Sequence, residues 1–170
     1  MKLQNPQLKG GHYAPILGIT PDMIVTHLPF WLGSALKYVW RAPRKNGGED
    51  FLKAADCLRR YAKQLSFSAP QKHSYWGIIS KSETLIETLN ECQGAHSKAV
   101  ASVLEIVMWG SSKSSYHKIT ESGIYDKEDA FICGTEYILT LHDLAETLEH
   151  WAQDMDDEHE VSIWDLVKQK

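Results

Sequence analysis

The stretch GSALKYVWRAPRKNGGED, residues 33–50, shows how this chain is organised. Its first half has apolar residues at helical spacing, and Pro43 ends that pattern because proline lacks a backbone N–H and disfavours helical geometry in the preceding residue. The turn sequence NGG follows at 46–48, and Glu49 begins a second helical pattern. We therefore predict a helix-loop-helix segment with several cations at the end of the first helix and on the loop.

Helical patterns continue on both sides of this segment. We predict helices over about residues 20–28, 30–42, 49–64, 80–93, 95–109 and 126–151, with a short docked helix over about 161–168. The predicted inner face of the third helix comprises Phe51, Leu52, Ala55, Leu58 and Ala62. The long helix has a broad apolar face that either packs inside the bundle or forms a subunit interface. No segment shows a convincing strand pattern, so the predicted fold class is all-α: a compact helical bundle with a short N-terminal arm.

The charge of the chain is distributed unevenly. The formal net charge is −4, but residues 1–65 have ten Lys and Arg against four Asp and Glu, whereas residues 66–170 have eight against eighteen. We predict a basic nucleotide-binding region over 1–65 and an acidic helical region over 66–170, packed together as one domain. The basic region either binds phosphates or pairs with acidic surfaces of this chain or of another subunit.

Composition predicts a soluble, cytoplasmic protein. A chain of 170 residues with 43% hydrophobic residues and six tryptophans can form a substantial core. No apolar run reaches the roughly 20 residues that cross a bilayer, and the first residues have no signal-peptide pattern. The three cysteines are odd in number and widely spaced, which indicates packed, reduced thiols rather than a disulfide framework or a zinc site.

Helix geometry groups the cations of the opening stretch. Gly33, Lys37 and Arg41 are spaced i, i+4 and i+8, so they lie close to one face. We expect Gly33 to allow a ligand to approach the helix and the two cations to form a charged wall beyond it. Arg44 and Lys45 then project from the loop. Arginine binds phosphate through paired N–H groups and lysine contributes a point charge, so this pattern is typical of a phosphate site.

Aromatic and acidic residues lie beside these cations in the sequence. Trp40 or Tyr38 offers a ring face on which a base could stack. Asp50 and Glu49 are the nearest carboxylates, able to orient the cations or to hold a magnesium ion that bridges phosphates. Lys53, one helical turn further on, is expected to point into the same space.

Two other features complete the predicted site. His12 and Tyr13 follow two glycines on the N-terminal arm and either close over a bound nucleotide or simply dock on the bundle. Backbone N–H groups of Gly47 and Gly48 are expected to point outward as further anion donors. The same residues are also compatible with an ordinary solvent-exposed helix corner.

Seven short groups of residues, in a fixed order and spacing, resemble a known family. They are HY at 12–13, LGSA at 32–35, KY at 37–38, WR at 40–41, RK at 44–45, ED at 49–50 and KA at 53–54. The pattern resembles a small bacteriophage family of mostly unassigned function. One member, from a podovirus of enteric bacteria, is a deoxynucleoside monophosphate kinase without a Walker motif. The resemblance covers about residues 12–65.

The resemblance implies phosphoryl transfer from a nucleoside triphosphate to a deoxynucleoside monophosphate such as dTMP or dGMP, in the cytoplasm of an infected host cell. It implies catalytic roles for Lys37, Arg41, Arg44 and Asp50, and substrate binding by His12, Tyr13, Gly33, Trp40, Lys45 and Lys53. Such transfer needs positioning and charge neutralisation more than covalent chemistry. The sequence has no GxxxxGK[ST] motif, and no second nucleotide site is visible in it. We therefore expect a homo-oligomer with a site shared between subunits.

Three alternatives belong to other functional classes. The first is a protein that binds and sequesters a host signalling nucleotide without catalysis. The second is a metal-dependent nucleotide phosphohydrolase on the acidic half, with candidate ligands Glu146 and Glu149 as an ExxE pair, and His142 and Asp143 with His96 or His117 upstream. The third is a nucleic-acid-binding protein, which the overall acidity and the short basic surface disfavour.

Overall fold

The computed structural model describes residues 11–26, 28–66, 76–92, 94–111 and 127–157. Six α-helices lie in these ranges: α1 (Asp22–Val25), α2 (Phe30–Arg41), α3 (Gly48–Leu65), α4 (Trp76–Asn90), α5 (Ala95–Ser111) and α6 (Lys127–Asp157). Two 3-10 turns accompany them, Gly11–Tyr13 on the N-terminal arm and Ala42–Arg44 between α2 and α3. The described ranges contain no strand, so the predicted all-α class is confirmed.

The predicted helix-loop-helix segment is present as α2, a 3-10 turn and α3. Pro43 lies inside the 3-10 turn and ends α2 as expected. Gly47 then adopts φ 53° and ψ −131°, a conformation that side-chain-bearing residues rarely adopt. Its N–H donates to the Ala42 carbonyl over 2.8 Å, which closes the loop and lets α3 pack back along α2.

Helix α3 is the centre of the described core, because it packs against α2 on one side and α6 on another. Four of its five predicted core residues are fully buried: Phe51, Ala55, Leu58 and Ala62. The prediction for Leu52 is wrong, since 49% of its surface is exposed. Position 52 is rotated by about 100° from Phe51 around the helix, which places it on the solvent side. The buried face is completed by Ala54, Cys57 and Tyr61.

The apolar face of α6 lies inside the bundle. Its buried side chains are Tyr137, Leu141, Leu144, Ala145, Leu148 and Ala152. The Tyr61 ring meets the Tyr137 ring edge-on at 6.5 Å, and the Tyr137 hydroxyl donates to the Ile106 carbonyl of α5 over 3.2 Å. Of the two predicted roles for this face, packing in the bundle therefore holds for these residues.

One ion pair joins the basic and acidic regions directly. Both Arg59 Nη atoms of α3 donate to the Glu149 carboxylate of α6, one of them over 2.7 Å. The pairing raises the pKa of Arg59 and lowers the pKa of Glu149. At this contact, a positive charge of the basic region and a negative charge of the acidic region are paired where α3 packs on α6.

A tight turn at residues 16–19 was not predicted from the sequence. Ile16 and Ile19 exchange two backbone hydrogen bonds of 2.9 Å, and Leu17 and Gly18 between them have φ values of 49° and 76°. Two consecutive positive φ values are typical of a two-residue hairpin turn. Both isoleucines are buried, so the turn fixes the chain before α1 onto the core.

Three further predictions concern the C-terminal helix, the cysteines and membrane-spanning segments. The helix predicted at 161–168 lies outside the described residues. Cys57 is buried and Cys92 half-buried, both as free thiols, and burial raises the pKa of Cys57 to about 11. Among the residues that the structure describes, no helix is both long enough and apolar enough to cross a membrane.

Candidate functional site

A buried ion pair between α2 and α3 forms the centre of the candidate site. Arg41 donates from Nε to Asp50 Oδ2 over 2.9 Å and from Nη2 to Oδ1 over 3.1 Å. The Asp50 side chain is 0% exposed and that of Arg41 is 14% exposed. Such a two-point contact between planar groups fixes both orientations. The sequence placed both residues in the site, and the structure brings them together as partners.

Two tyrosines enclose the Arg41 guanidinium. Its Nη1 donates to the Tyr13 hydroxyl over 3.1 Å, and its Cζ lies 4.6 Å from the centroid of the Tyr38 ring. Burial opposes the positive charge of Arg41, but the hydrogen bonds to Asp50 and Tyr13 outweigh it, so the pKa of Arg41 is raised. Arg41 is therefore a fixed cation whose donors are largely engaged within the protein.

The Asp50 carboxylate is likewise engaged with partners within the protein. Besides Arg41, Asn46 Nδ2 donates to Oδ1 over 3.1 Å, and Lys53 Nζ lies 3.8 Å from the same oxygen. The predicted magnesium site at Asp50 and Glu49 does not fit these contacts, because a metal would have to displace Arg41 or Asn46. Within the described residues, no group of three or more His, Cys, Asp and Glu side chains could hold a metal ion.

Two lysines flank the central pair, each held by an exposed carboxylate. Lys37 Nζ is 2.9 Å from Asp22 Oδ1 and 5.9 Å from the centroid of the Tyr13 ring. Lys53 Nζ is 2.6 Å from Glu49 Oε1, one helical turn away. The hydrogen bond to Glu49 raises the pKa of Lys53. Contacts thus run from Lys37 through Tyr13, Arg41 and Asp50 to Lys53.

The N-terminal arm is docked on this cluster. Arg44 Nη1 donates to the Gly11 carbonyl over 2.9 Å, and Trp40 Nε1 donates to the Ala14 carbonyl over 3.0 Å. The His12 ring lies 4.5 Å from the Tyr13 ring and is half-buried. The arm is thus docked on the bundle, and its closure over a bound nucleotide stays a prediction. Lys45 is exposed at the edge of the cluster.

Two predicted binding residues have structural positions instead. A Cβ on Gly33 would lie 3.3 Å from Val25 Cβ and 3.5 Å from Leu28 Cβ, so the close approach that Gly33 permits is that of α1. Trp40 is fully buried, and its ring has no free face for a base. His96 of α5 is also buried, and its Nε2 lies 3.2 Å from the Trp40 carbonyl oxygen.

Of the two predicted backbone anion donors, the N–H of Gly47 is engaged within the loop. The N–H of Gly47 donates to Ala42, that of Glu49 to Asn46 and that of Asp50 to Gly47. These bonds form the loop and the first turn of α3. These three N–H groups are therefore not available to an anion.

The alternative site on the acidic half is not assembled by the described residues. Glu149 is paired with Arg59, and His142, Asp143 and Glu146 are exposed along α6. His96, the upstream histidine of that hypothesis, is buried, and His117 lies outside the described residues. The phosphohydrolase hypothesis gains nothing from this arrangement.

Two residues that contact the cluster were not predicted from the sequence. Asn46 was assigned only to the turn, although its i, i+4 spacing to Asp50 was a signal that the two could bond. Asp22 falls within the helix predicted over about residues 20–28. No local pattern connects it to Lys37, which it reaches because Gly33 lets α1 pack closely on α2.

Comparison with known proteins gives one match. No curated protein and no solved structure matches the chain. Residues 9–59 match the model of a family described as a protein of unknown function, DUF3310. The matched region contains the arm, α1, α2 and most of α3, and therefore every residue of the Lys37–Arg41–Asp50–Lys53 cluster.

Proposed function

We propose that the chain binds the phosphate of a nucleotide at the cluster formed by Lys37, Arg41 and Lys53. The observation that carries the proposal is a difference in burial: the carboxylate that holds Arg41 is buried, and those that hold the two lysines are exposed. Arg41 is fixed on a buried carboxylate, whereas the two lysines beside it are held only by exposed acids. The centre is thus rigid and the flanks are free to change partner.

The energies of these contacts favour an exchange of partners. Exposed ion pairs contribute only about 0–1 kcal/mol, because water screens them and two long side chains must be ordered. The Lys37–Asp22 and Lys53–Glu49 pairs are of this kind, with the acids 64% exposed in both. A phosphate with two negative charges offers each lysine a stronger partner, so it can displace the carboxylates at little cost.

The roles within the site differ from those expected from the sequence. Lys37 and Lys53 contact the phosphate, Arg41 supplies positive charge from a fixed position, and Asp50 and Tyr13 hold Arg41 in place. Arg44 and Lys45 add positive charge at the edge of the cluster. Trp40, Gly33 and the N–H of Gly47 support the fold rather than the ligand.

We further propose that the bound nucleotide is a deoxynucleoside monophosphate and that the protein transfers a phosphoryl group to it from a nucleoside triphosphate. Support for this step is the resemblance of residues 12–65 to a bacteriophage family that includes such a kinase. A fixed arginine flanked by two lysines in exposed ion pairs suits a reaction in which charge moves along a phosphate chain. Magnesium remains a prediction and belongs to the assay as the counterion of the triphosphate.

Binding is tested first, by calorimetric titration of the protein with each deoxynucleoside monophosphate. Lys37→Ala and Lys53→Ala should each weaken the affinity about tenfold, since a hydrogen bond to a charged group contributes about 1.5–3 kcal/mol. Lys63→Ala removes an exposed lysine from the far end of α3 and should leave the affinity unchanged. Equal affinities for all four proteins would refute the site.

Catalysis is tested by incubating the protein with magnesium, a triphosphate donor and each monophosphate, and separating the nucleotides by anion exchange. Formation of the acceptor's diphosphate, matched by conversion of an equal amount of donor triphosphate to its own diphosphate, supports the kinase. Binding without turnover supports the second candidate, a protein that sequesters a nucleotide. Hydrolysis of the triphosphate without an acceptor would contradict both.

A further inference from the structure

Helix α2 exposes a strip of side chains that the proposed phosphate site uses only in part. The strip comprises Phe30, Trp31, Ser34, Lys37, Tyr38 and Arg41, all exposed or half-buried. At about 100° per residue these positions span about 120° of the helix circumference. The intervening positions from Leu32 to Trp40 are buried. The strip therefore runs along the whole of α2, with α1 on one side and α3 on the other.

One end of the strip is aromatic. Phe30 is 74% exposed, and its ring meets the Trp31 ring nearly edge-on, with centroids 4.9 Å apart. Arg60 of α3 lies over the Trp31 ring at 5.1 Å and is balanced by Asp56 at 2.6 Å. Trp31 is thus braced by its neighbours, while most of the Phe30 surface faces solvent.

The other end of the strip is the phosphate site. Lys37 is seven residues after Phe30, so the two positions are separated by about 10 Å along the helix axis and lie on nearly the same side. Tyr38 and Arg41 follow within one turn, with Lys53 of α3 beside them. An aromatic surface and a cationic surface are therefore separated by about the length of a nucleoside monophosphate.

Ser34 forms the middle of the strip. It lies one turn after Phe30 and one turn before Lys37 and Tyr38, and it is half-buried. Its side chain is much smaller than those at both ends, so the strip is lowest at this position. A flat ligand that spans the two ends would pass over Ser34.

We infer that a nucleoside monophosphate binds along this strip, with its base against Phe30, its sugar over Ser34 and its phosphate at Lys37 and Lys53. The inference rests on the proposed function and adds the position of the nucleoside. Stacking on an exposed aromatic ring suits any base, because every base has a π-face. Phe30 thereby takes the part that the sequence assigned to Trp40 or Tyr38.

Substitutions at Ser34 give a matched pair of variants for the test. Ser34→Leu fills the low point of the strip with a good helix former, and Ser34→Ala leaves it open. The ligands are dTMP and dGMP, with inorganic tripolyphosphate as a probe that has the phosphates but no nucleoside. We expect Ser34→Leu to weaken binding of both nucleotides by about tenfold or more, the size of effect that one stacked base has. Binding of tripolyphosphate should change less than about twofold, and Ser34→Ala should resemble the wild type for all ligands.

A second position makes the test independent of Ser34. Phe30→Ser removes the exposed ring and should weaken the binding of both nucleotides but not of tripolyphosphate. Phe30→Tyr should keep the wild-type affinity for both nucleotides. Circular dichroism and light scattering confirm that each variant keeps the fold and the molar mass of the wild type.

The outcomes separate the inference from the proposed function. A wild-type protein that binds neither nucleotide nor tripolyphosphate would overturn the phosphate site itself. Nucleotide binding that survives both Ser34→Leu and Phe30→Ser would overturn the inference alone. A smaller molar mass for Phe30→Ser would also overturn it, because Phe30 would then be a contact between copies of the chain.

Discussion

The Arg41–Asp50 pair links two helices through a carboxylate that is entirely shielded from water. Replacing Asp50 with Asn keeps the shape of the side chain but leaves Arg41 without its countercharge. Removing one partner of a buried pair costs about 3 kcal/mol. We therefore expect Asp50→Asn to lower the free energy of urea unfolding by about that amount.

The same helix offers a control for this change. Asp56 pairs with Arg60 at the surface of α3, with both side chains more than half exposed. Asp56→Asn should cost less than about 0.5 kcal/mol, the value of an exposed pair one turn apart. Equal losses in the free energy of unfolding for Asp50→Asn and Asp56→Asn would contradict a stabilising role of the buried Arg41–Asp50 pair.

His96 should make the protein sensitive to acid. Burial lowers its pKa from the ordinary 6.5 to about 4, and the nearby Arg44 charge acts in the same direction. The unfolded chain therefore takes up a proton at His96 near pH 6.5, whereas the folded chain does so only near pH 4. Stability should fall as pH decreases between these values, by about 2 kcal/mol from pH 7 to pH 5 for this group.

The measurement is urea unfolding at pH 7 and pH 5 for the wild type and for His96→Gln. Glutamine does not titrate, so the variant should lose less stability over this interval, whatever its stability at pH 7. Parallel losses in the two proteins would show that other groups cause the acid sensitivity.

For single residues, the sequence indicated which side chains lie close together better than it indicated their partners. Lys37, Arg41, Asp50 and Lys53 are in contact as a group because they repeat at helical spacing on two adjacent helices. Their partners depend on rotation around each helix and on which side chains face each other, which spacing alone does not determine. Trp40 was misassigned for that reason, since one residue further along a helix turns the side chain by about 100° into the core.

At the scale of helices, the contact between α1 and α2 depends on the absence of a side chain at Gly33. Valine at this position would overlap Val25 and Leu28, and overpacking of this kind costs about 1–3 kcal/mol. We expect Gly33→Val to lower the melting temperature and to separate Asp22 from Lys37.

Gly33→Ala is the informative comparison. Its single methyl group needs Val25 to move by only a few tenths of an ångström, and alanine favours the helix by about 1 kcal/mol over glycine. The stability of this variant should lie within about 1 kcal/mol of the wild type. If Gly33→Val is equally harmless, α1 is not held on α2 at this contact.

The presence of the helices was predictable from the sequence, whereas the side on which each helix is buried was less so. Proline at 43 and the glycines at 47 and 48 mark the end of α2 and the start of α3 to within one residue. The 16–19 turn escaped prediction because leucine is a rare residue at positive φ. Here the burial of both isoleucines outweighs the local preference of Leu17.

At the scale of the whole molecule, the basic region depends on the acidic region for its core. Helix α3 buries side chains such as Leu58 and Tyr61 in the core that α6 completes, and Arg59 is paired with Glu149. We expect residues 1–65 expressed alone to lack a fixed tertiary structure, because the face of α3 that meets α6 would be exposed.

Near-ultraviolet circular dichroism and amide chemical-shift dispersion would test this expectation. The full chain is the control, and it should unfold in a single transition seen by both fluorescence and far-ultraviolet circular dichroism. A well-dispersed spectrum from residues 1–65 would show that the two regions fold separately.

The docking of the arm on Trp40 makes the arm observable without any label. The indole N–H of Trp40 donates to the Ala14 carbonyl, and the ring is fully buried. This proton can exchange with deuterium only when the arm detaches and the ring becomes accessible. Its exchange rate therefore reports how often the arm opens, and slower exchange on adding a nucleotide would show that the ligand holds the arm closed.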